Sequence, residues 1–350
     1  MLTPTMQIAA LVALMAASAV AGSAEDAERC KPPEGTRPFD FSFGENNLRG
    51  FVDVPEGTGP FATVLILHGS GDTDIFSAEN ESTRYYDQLR DTFRAAGVAT
   101  AIWDKAGSGC STGKYSNGNP IRERAGETVA ALKALKGRSE IDGARMGLWA
   151  ISQGGWVAPM AAVRTQDVSF MILVSAPARD AVSQAEYQTL NALRSKGIEE
   201  GQVQTIARYL RRALAVMRAG GSIEEFAAAA EPLKQYPVLQ ELGITMGTAA
   251  EYQAWQQSMD HHYRPDTALR ELRQPVLAIY GDRDVLVDWR ESAEIYKESL
   301  RFGGNKDLTV KVFRNADHNL FEAGTRQLTD GYLRTMRVWL AKHVREPTYH

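Results

Sequence analysis

Cysteine is nearly absent from this chain: only Cys30 and Cys110 occur among its 350 residues. Two cysteines argue against a Cys₄ or Cys₂His₂ zinc site and allow at most one internal disulfide. A basic excess is also missing. The 39 Lys+Arg and 43 Asp+Glu leave a formal net charge of −4, which gives phosphate backbones nothing to be drawn to and argues against nucleic acid as a partner. Internal repeats and low-complexity tracts are lacking too. What is present is ordinary: 44% hydrophobic, 23% charged, Gly 30 and Pro 14, a composition that excludes disordered, collagen-like and disulfide-dense chains. At ~100–200 residues per domain, the length allows one large α/β domain or two smaller ones.

The N-terminus carries the longest apolar run, Ile8 to Val20, which is short of the ~20 residues that span a bilayer. Ala19-Val20-Ala21 offers an A-x-A cleavage site. The expectation is a signal peptide over residues 1–21, a linker over 22–36, export to the periplasm or medium, and no membrane span after removal. No Lys or Arg precedes the run, so an uncleaved anchor or a misassigned start is the rival reading. Ala27-Glu28-Arg29 before Cys30 is not a lipobox. Export would place Cys30 and Cys110 where a disulfide persists, with two free thiols as the alternative. Asn80-Glu81-Ser82 fits a glycosylation sequon, a pattern short enough to arise by chance.

Beyond the linker, apolar runs alternate with helical patterns. Strands are expected over Phe39 to Phe43, Leu48 to Val54, Ala62 to Leu67, Ala99 to Trp103, Met146 to Ile151, Phe170 to Val174, Val276 to Tyr280 and Leu308 to Phe313. Most of the later ones are continuously apolar, as parallel strands covered on both faces should be. Helices are expected over Ser82 to Ala96, Ile121 to Leu135, Gly154 to Val163, Trp289 to Leu300 and Leu328 to Val344. The alternation implies a doubly wound α/β sheet, mostly parallel and eight-stranded with helices on both faces, whose first two strands form an antiparallel edge hairpin. From Ser183 to Leu272 the patterns are helical only, with Val203, Ile206, Leu210, Leu214 and Met217 in one stripe. Such a stretch far exceeds the roughly 2–6 residues of a strand-helix loop, so it reads as a helical insertion, 183–272, between core segments 37–182 and 273–346.

The sharpest local signal is Trp149-Ala150-Ile151-Ser152-Gln153-Gly154-Gly155-Trp156. An apolar strand runs into a serine with small residues two before and two after it, then into a helix. Small flanks are what a strained strand-to-helix turn needs if the hydroxyl is to stand clear of the sheet; a glycine-rich strand exit without chemistry is the plain alternative. A serine nucleophile needs a base and an orienting acid. Of the six histidines, His318 follows the last strand by a short polar turn, which brings it to the same sheet edge as Ser152. His343 falls on the polar side of the last helix and His350 is terminal, so both read as solvated; His261-His262 lie in the insertion without metal-ligand spacing. Asp282 and Asp284 leave the Val276 strand, either able to serve as the acid or as a turn residue, while Asp288 fits the cap of the next helix.

Together Leu67-His68-Gly69-Ser70-Gly71, Trp103-Asp104-Lys105-Ala106-Gly107-Ser108-Gly109, Ser152 to Pro159, Gly281-Asp282-Arg283-Asp284 and Ala316-Asp317-His318-Asn319 resemble the α/β-hydrolase superfamily, in its serine aminopeptidase-like and dienelactone hydrolase-like branches. The resemblance covers about Phe39 to Val344. It implies the α/β-hydrolase fold, with the insertion as a helical lid, and a triad in the order Ser152, Asp284, His318, because the acid is last in the family's G-x-x-D pattern. It also implies an oxyanion hole from the backbone N–H of Gln153 and of Ser70, with His68 and Gly69 supporting that loop. Two departures stand out: Ala150 for the elbow's first glycine, and Ala106 for the arginine usual after Asp-Lys, which puts that arginine's salt bridge in doubt. Gly109 to Lys114 fails the P-loop pattern, and Ser111 and Lys114 form a bare S-x-x-K. The implied activity is hydrolysis of small or medium acyl esters through an acyl-enzyme, with no cofactor and no metal. The rivals are an aminopeptidase or oligopeptidase using the same triad, and a hydrolase-fold protein that binds without catalysis. In the insertion, Tyr187, Tyr209, Tyr236, Tyr252, Trp255 and Met259 could line an acyl site, with packing the favoured reading. Arg208, Arg211 and Arg212 read as its solvated face.

Overall fold

In the computed structural model of the chain, residues 28–115, 121–244, 252–253 and 263–344 are described. The signal segment 1–21, residues 22–27 of the linker, Trp255, Met259, His261, His262 and His350 lie outside them.

Eight apolar segments form one sheet: Arg37–Phe43 (β1), Asn46–Asp53 (β2), Phe61–Leu67 (β3), Ala99–Trp103 (β4), Ile141–Ile151 (β5), Phe170–Val174 (β6), Val276–Gly281 (β7) and Leu308–Phe313 (β8). The spatial order is β1-β2-β4-β3-β5-β6-β7-β8, parallel from β4 through β8 with β1 and β2 as an antiparallel edge. In the central strands side chains alternate across the sheet and both sets are buried, whereas the outer strands β1 and β8 expose alternate residues. Leu65, Leu148 and Leu173 enter one core with helices Ile121–Lys136 (α2), Gly154–Ala162 (α3) and Trp289–Phe302 (α9). Ile66, Trp149 and Ile172 enter the other with Glu81–Arg94 (α1) and Tyr332–His343 (α10). Burial on both faces is why these strands read as unbroken apolar runs.

Between β6 and β7 the regular elements among the described residues are all helical: Ala181–Ser195 (α4), Glu200–Arg218 (α5), Ile223–Ala230 (α6), a 3₁₀ turn over Glu231–Gln235, Pro237–Glu241 (α7) and Pro265–Glu271 (α8). The α5 stripe Val203, Ile206, Leu210, Leu214 and Met217 is buried with Phe226, Leu239 and Tyr252 in a hydrophobic cluster of its own.

Two local expectations fail. Leu328 does not lie on the last helix: it pairs with Phe321 in an isolated bridge, and Gly331 at φ 80° delays the helix start to Tyr332. His343 is not solvated; its side chain is 6% exposed, stacks on Trp339 at 4.0 Å and places Nδ1 2.8 Å from the Trp339 carbonyl.

Cys30 and Cys110 are joined, with their Cα atoms 5.8 Å apart across 80 residues of chain. The bridge pins the start of the described chain to the loop after β4. A loop that long should make the bond contribute about 2–4 kcal/mol, chiefly by restricting the unfolded chain. Unreduced, denatured protein is expected to show no alkylatable thiol by mass spectrometry, and Cys110→Ala to unfold at lower denaturant by that amount; two reactive thiols would refute the bond.

Candidate active site

β5 ends at Ile151, and Ser152 turns the chain with φ 55°, in the left-handed region. For a non-glycine residue that conformation costs on the order of 1–3 kcal/mol. It is held by the Ser152 N–H, which donates to the Val174 carbonyl at 3.0 Å, and by the Ser152 carbonyl, which accepts from the Gly155 N–H at 2.8 Å. The two following glycines are required by space. A Cβ on Gly154 would lie 2.8 Å from the Leu67 carbonyl oxygen and 2.9 Å from that of His68; one on Gly155 would lie 2.3 Å from Ala176 Cβ. Ala150 is accommodated for the same reason, since its methyl lies 3.4 Å from where a Gly154 Cβ would stand.

The register brings the other strand ends alongside. Ile151 pairs with Val174, Val174 pairs with Ile279, and the next residue, Ser175, donates from its hydroxyl to the His318 carbonyl at 2.7 Å. His318 thereby sits at the carboxyl edge beside the β5 exit. Its Nδ1 is 2.8 Å from Asp284 Oδ2, with the Asp284 side chain wholly buried and that of His318 13% exposed. A carboxylate oxygen accepts, so Nδ1 carries the proton and Nε2 keeps its lone pair. The other oxygen, Asp284 Oδ1, accepts from the N–H groups of Leu286 and Val287 at 2.8 and 2.9 Å, which fixes the carboxylate. Asp282 acts elsewhere, for its Oδ1 accepts from the Asn315 N–H at 2.7 Å and so braces the turn that leads to His318. Asp288 caps α9 through the Glu291 N–H.

The loop after β3 lies against the serine, for a Cβ on Gly69 would stand 3.2 Å from Ser152 Cβ. His68 is buried with Nε2 3.0 Å from the Trp103 carbonyl, so that nitrogen bears the hydrogen. Burial, then Lys105 and Arg124, hold its pKa well below the usual histidine value, keeping the ring neutral under the loop. Two buried cations grip the loop from below. Lys105 Nζ donates to the carbonyls of Gly69 and Gly71, each at 2.6 Å. Arg124 donates from Nη2 to the His68 carbonyl at 2.6 Å and from Nη1 to Gln153 Oε1 at 2.7 Å and the Gly69 carbonyl at 3.4 Å. Burial lowers both cations, Arg124 to about 10. Sequence reasoning assigned neither a role. The signal for Arg124 was its place on the buried stripe of α2 with Ile121, Ala125, Thr128 and Leu132.

Ala106 leaves Asp104 without the arginine usual in the resemblance. The carboxylate is served by backbone instead: Oδ1 accepts from the Ile75 N–H at 3.0 Å and Oδ2 from the Cys110 N–H at 2.9 Å. Burial still pushes its pKa up to about 6.

In the insertion, Tyr209, Tyr236 and Tyr252 pack into the helical cluster, while Tyr187 lies under the Arg179 guanidinium at 5.4 Å. Arg211 pairs with Glu186 at 2.6 Å, and Arg208 and Arg212 are exposed. Among the described residues no group of three or more His, Cys, Asp or Glu is placed to hold a metal ion, and no helix is long and apolar enough to cross a membrane.

Against known proteins, residues 58–323 match the family model described as serine aminopeptidase, S33. Esterase EstD of Thermotoga maritima is 23% identical over 273 residues, which is 78% of this chain and 58% of that protein's length. Among solved structures, the α/β-hydrolase GrgF of a Penicillium species superposes with TM-score 0.58 at 17% identity, covering 88% of this chain and 99% of that one. An esterase of Pyrococcus furiosus superposes with TM-score 0.57 at 16% identity, covering 93% and 97%. At these identities the likeness is one of fold.

The two aspartates are separable by substitution. Asp284→Asn leaves its one carbonyl oxygen to the N–H groups of Leu286 and Val287 and turns an amide NH₂ toward His318 Nδ1, which forces the wrong tautomer and is expected to lower kcat on the order of 10⁴-fold; Asp282→Asn, which only loosens a turn, should lower it about tenfold or less. Equal losses in steady-state ester hydrolysis would contradict the assignment of Asp284.

Proposed function

The chain belongs to the serine aminopeptidase S33 family within the α/β-hydrolase superfamily, and from that premise we propose that it is a serine hydrolase of carboxylic esters. The observation that carries the reading is the buried Asp284–His318 hydrogen bond of 2.8 Å at the strand ends beside Ser152. An acid, a base with its lone pair kept free and a serine raised on a strained turn form the constellation that acyl transfer needs.

Ser152 Oγ bonds to the ester carbonyl carbon as its proton passes to His318 Nε2, and the carbonyl electrons move onto oxygen. Asp284 holds the tautomer and stabilises the imidazolium without taking the proton. The oxyanion accepts from the N–H groups of Gln153 and Ser70. Collapse expels the alcohol, which takes the proton from His318 and leaves an acyl-serine; water then repeats the sequence and releases the acid. The hydrogen bond described for the His318 ring is the one to Asp284; in this reading the contact of Ser152 Oγ with Nε2 closes as substrate is bound, since catalytic hydrogen bonds often tighten only in the Michaelis complex.

The helices between β6 and β7 serve, in this reading, as a lid over small or medium acyl groups. The protein is exported: the Cys30–Cys110 bond is of the kind that persists in oxidising compartments, and Ile8 to Val20 with Ala19-Val20-Ala21 has the shape of a signal.

Labelling with a fluorophosphonate should modify Ser152 in the wild-type protein. Ser152→Ala should abolish labelling and lower p-nitrophenyl ester hydrolysis roughly 10⁶-fold. A folded protein that resists labelling, or hydrolysis surviving in Ser152→Ala, would sink the proposal. Aminoacyl anilides assayed beside the esters decide between esterase and peptidase, and faster turnover of the anilides would move the substrate class to peptides.

A further inference from the structure

The loop that would supply the Ser70 oxyanion donor makes no ladder with a neighbouring strand, and its carbonyls face inward to buried cations. Gly69 and Gly71 offer their oxygens to Lys105 Nζ, and His68 offers its oxygen to Arg124 Nη2. Gly59-Pro60 is the only cis peptide among the described residues, so the Gly69–Ser70 peptide is trans. Its N–H therefore points away from the carbonyl that Lys105 and Arg124 hold. The Ser70 N–H donates to no described group, and Ser70 is exposed. One guanidinium also crosses from this loop to the residue after the serine: Nη1 donates to Gln153 Oε1 at 2.7 Å. Arg124 thus touches the loop bearing one proposed donor and the residue bearing the other. Its helix, α2, belongs to neither.

We propose that Arg124 is a positioning residue that sets both oxyanion donors together, orienting the Ser70 peptide through the carbonyls of His68 and Gly69 and seating Gln153 through its side chain, with Lys105 as the second anchor of the loop. The inference rests on the serine hydrolase reading and adds to it a residue that never meets substrate. The cost of such an arrangement is visible: two cations and Glu127 share a small buried cavity with His68, whose Nδ1 has no hydrogen-bond partner among the described residues, and taking charges out of water is expensive. The gain is electrostatic, because donors fixed before the charge develops need no reorganisation at the moment of reaction.

The test compares an oxo ester, p-nitrophenyl acetate, with its thiono counterpart, whose developing charge lies on sulfur and is poorly served by N–H donors. Arg124→Gln is expected to lower kcat on the oxo ester about 10–100-fold with KM within about threefold, and to lower the thiono rate by no more than about threefold. An equal loss on both esters means that Arg124 only holds the fold or the serine, and overturns the inference; an unchanged oxo rate overturns it as well. Circular dichroism and thermal unfolding report whether the variant folds. If it does not, Gln153→Met makes the decision alone, since it removes the side-chain acceptor and keeps the backbone N–H. A selective loss of about 3–10-fold on the oxo ester supports the inference, and a uniform loss or none refutes it. Wild-type turnover that does not depend on Ser152 would fail the functional reading itself, a result distinct from all of these.

Discussion

The hydrogen-bond register of three adjacent parallel strands is the constraint from which the rest follows. Ile151, Val174 and Ile279 lie side by side across β5, β6 and β7, so the residues just past each strand emerge at one edge without any folding back of the chain. Ser152 leaves the first, Ser175 the second, and Asp282 through Asp284 the third. Parallel strands all exit in one direction, and an open α/β sheet therefore collects loop residues where its carboxyl ends converge. A slip of one residue in this ladder would turn Trp149 and Ile151 to the other face and carry Ser152 with them.

On that edge the main difficulty is the loop after β3. It must approach Ser152 closely, which leaves its peptide groups outside any regular secondary structure, and buried carbonyls without donors are costly. Lys105 and Arg124 answer the need from a loop and a helix that are distant in sequence. Lys105 comes from the segment after β4 whose own shape depends on Asp104: that carboxylate gathers the N–H groups of Ile75 and Cys110, and Cys110 is bonded to Cys30. A continuous chain of contacts therefore runs from the first described residues to the loop beside the serine. It does so without the arginine that related motifs carry at position 106.

Much of this was legible before any coordinates. Strands buried on both faces announce themselves as apolar runs, which is why β4 and β6 are legible to the residue; β8, at the sheet edge with Thr309 and Lys311 exposed, carries only alternate apolar residues before Phe313. The first half of β5 was not legible, because Asp142, Gly143, Ala144 and Arg145 are partly exposed beyond the covering helices and carry no apolar signal. Leu328 kept helical spacing with Tyr332 and Met336 yet belongs to a bridge, since periodicity cannot see a glycine at positive φ that restarts the chain. Ser152 and His318 were readable from their flanks and their place after strands. Asp284 was distinguished from Asp282 only by a family pattern; the residues alone gave two equal carboxylates. Arg124 was the least legible, because an arginine in an amphipathic helix is ordinarily solvated, and only its neighbours on the stripe mark it as buried.

Helices α5, α6 and α7 pack Phe226, Leu239 and Tyr252 with the α5 stripe into a core separate from those of the sheet, whereas Leu269 of α8 joins a sheet core. Selection can therefore act on the two parts at different speeds. A substitution on the buried stripe of α5 draws on that core and leaves the strand register and the buried cations untouched, so if these helices act as the proposed lid, preference for one acyl group over another can drift while the machinery at the strand ends stays fixed. Divergence in this lineage should accumulate in these helices, and relatives that share the chemistry need share little of that core.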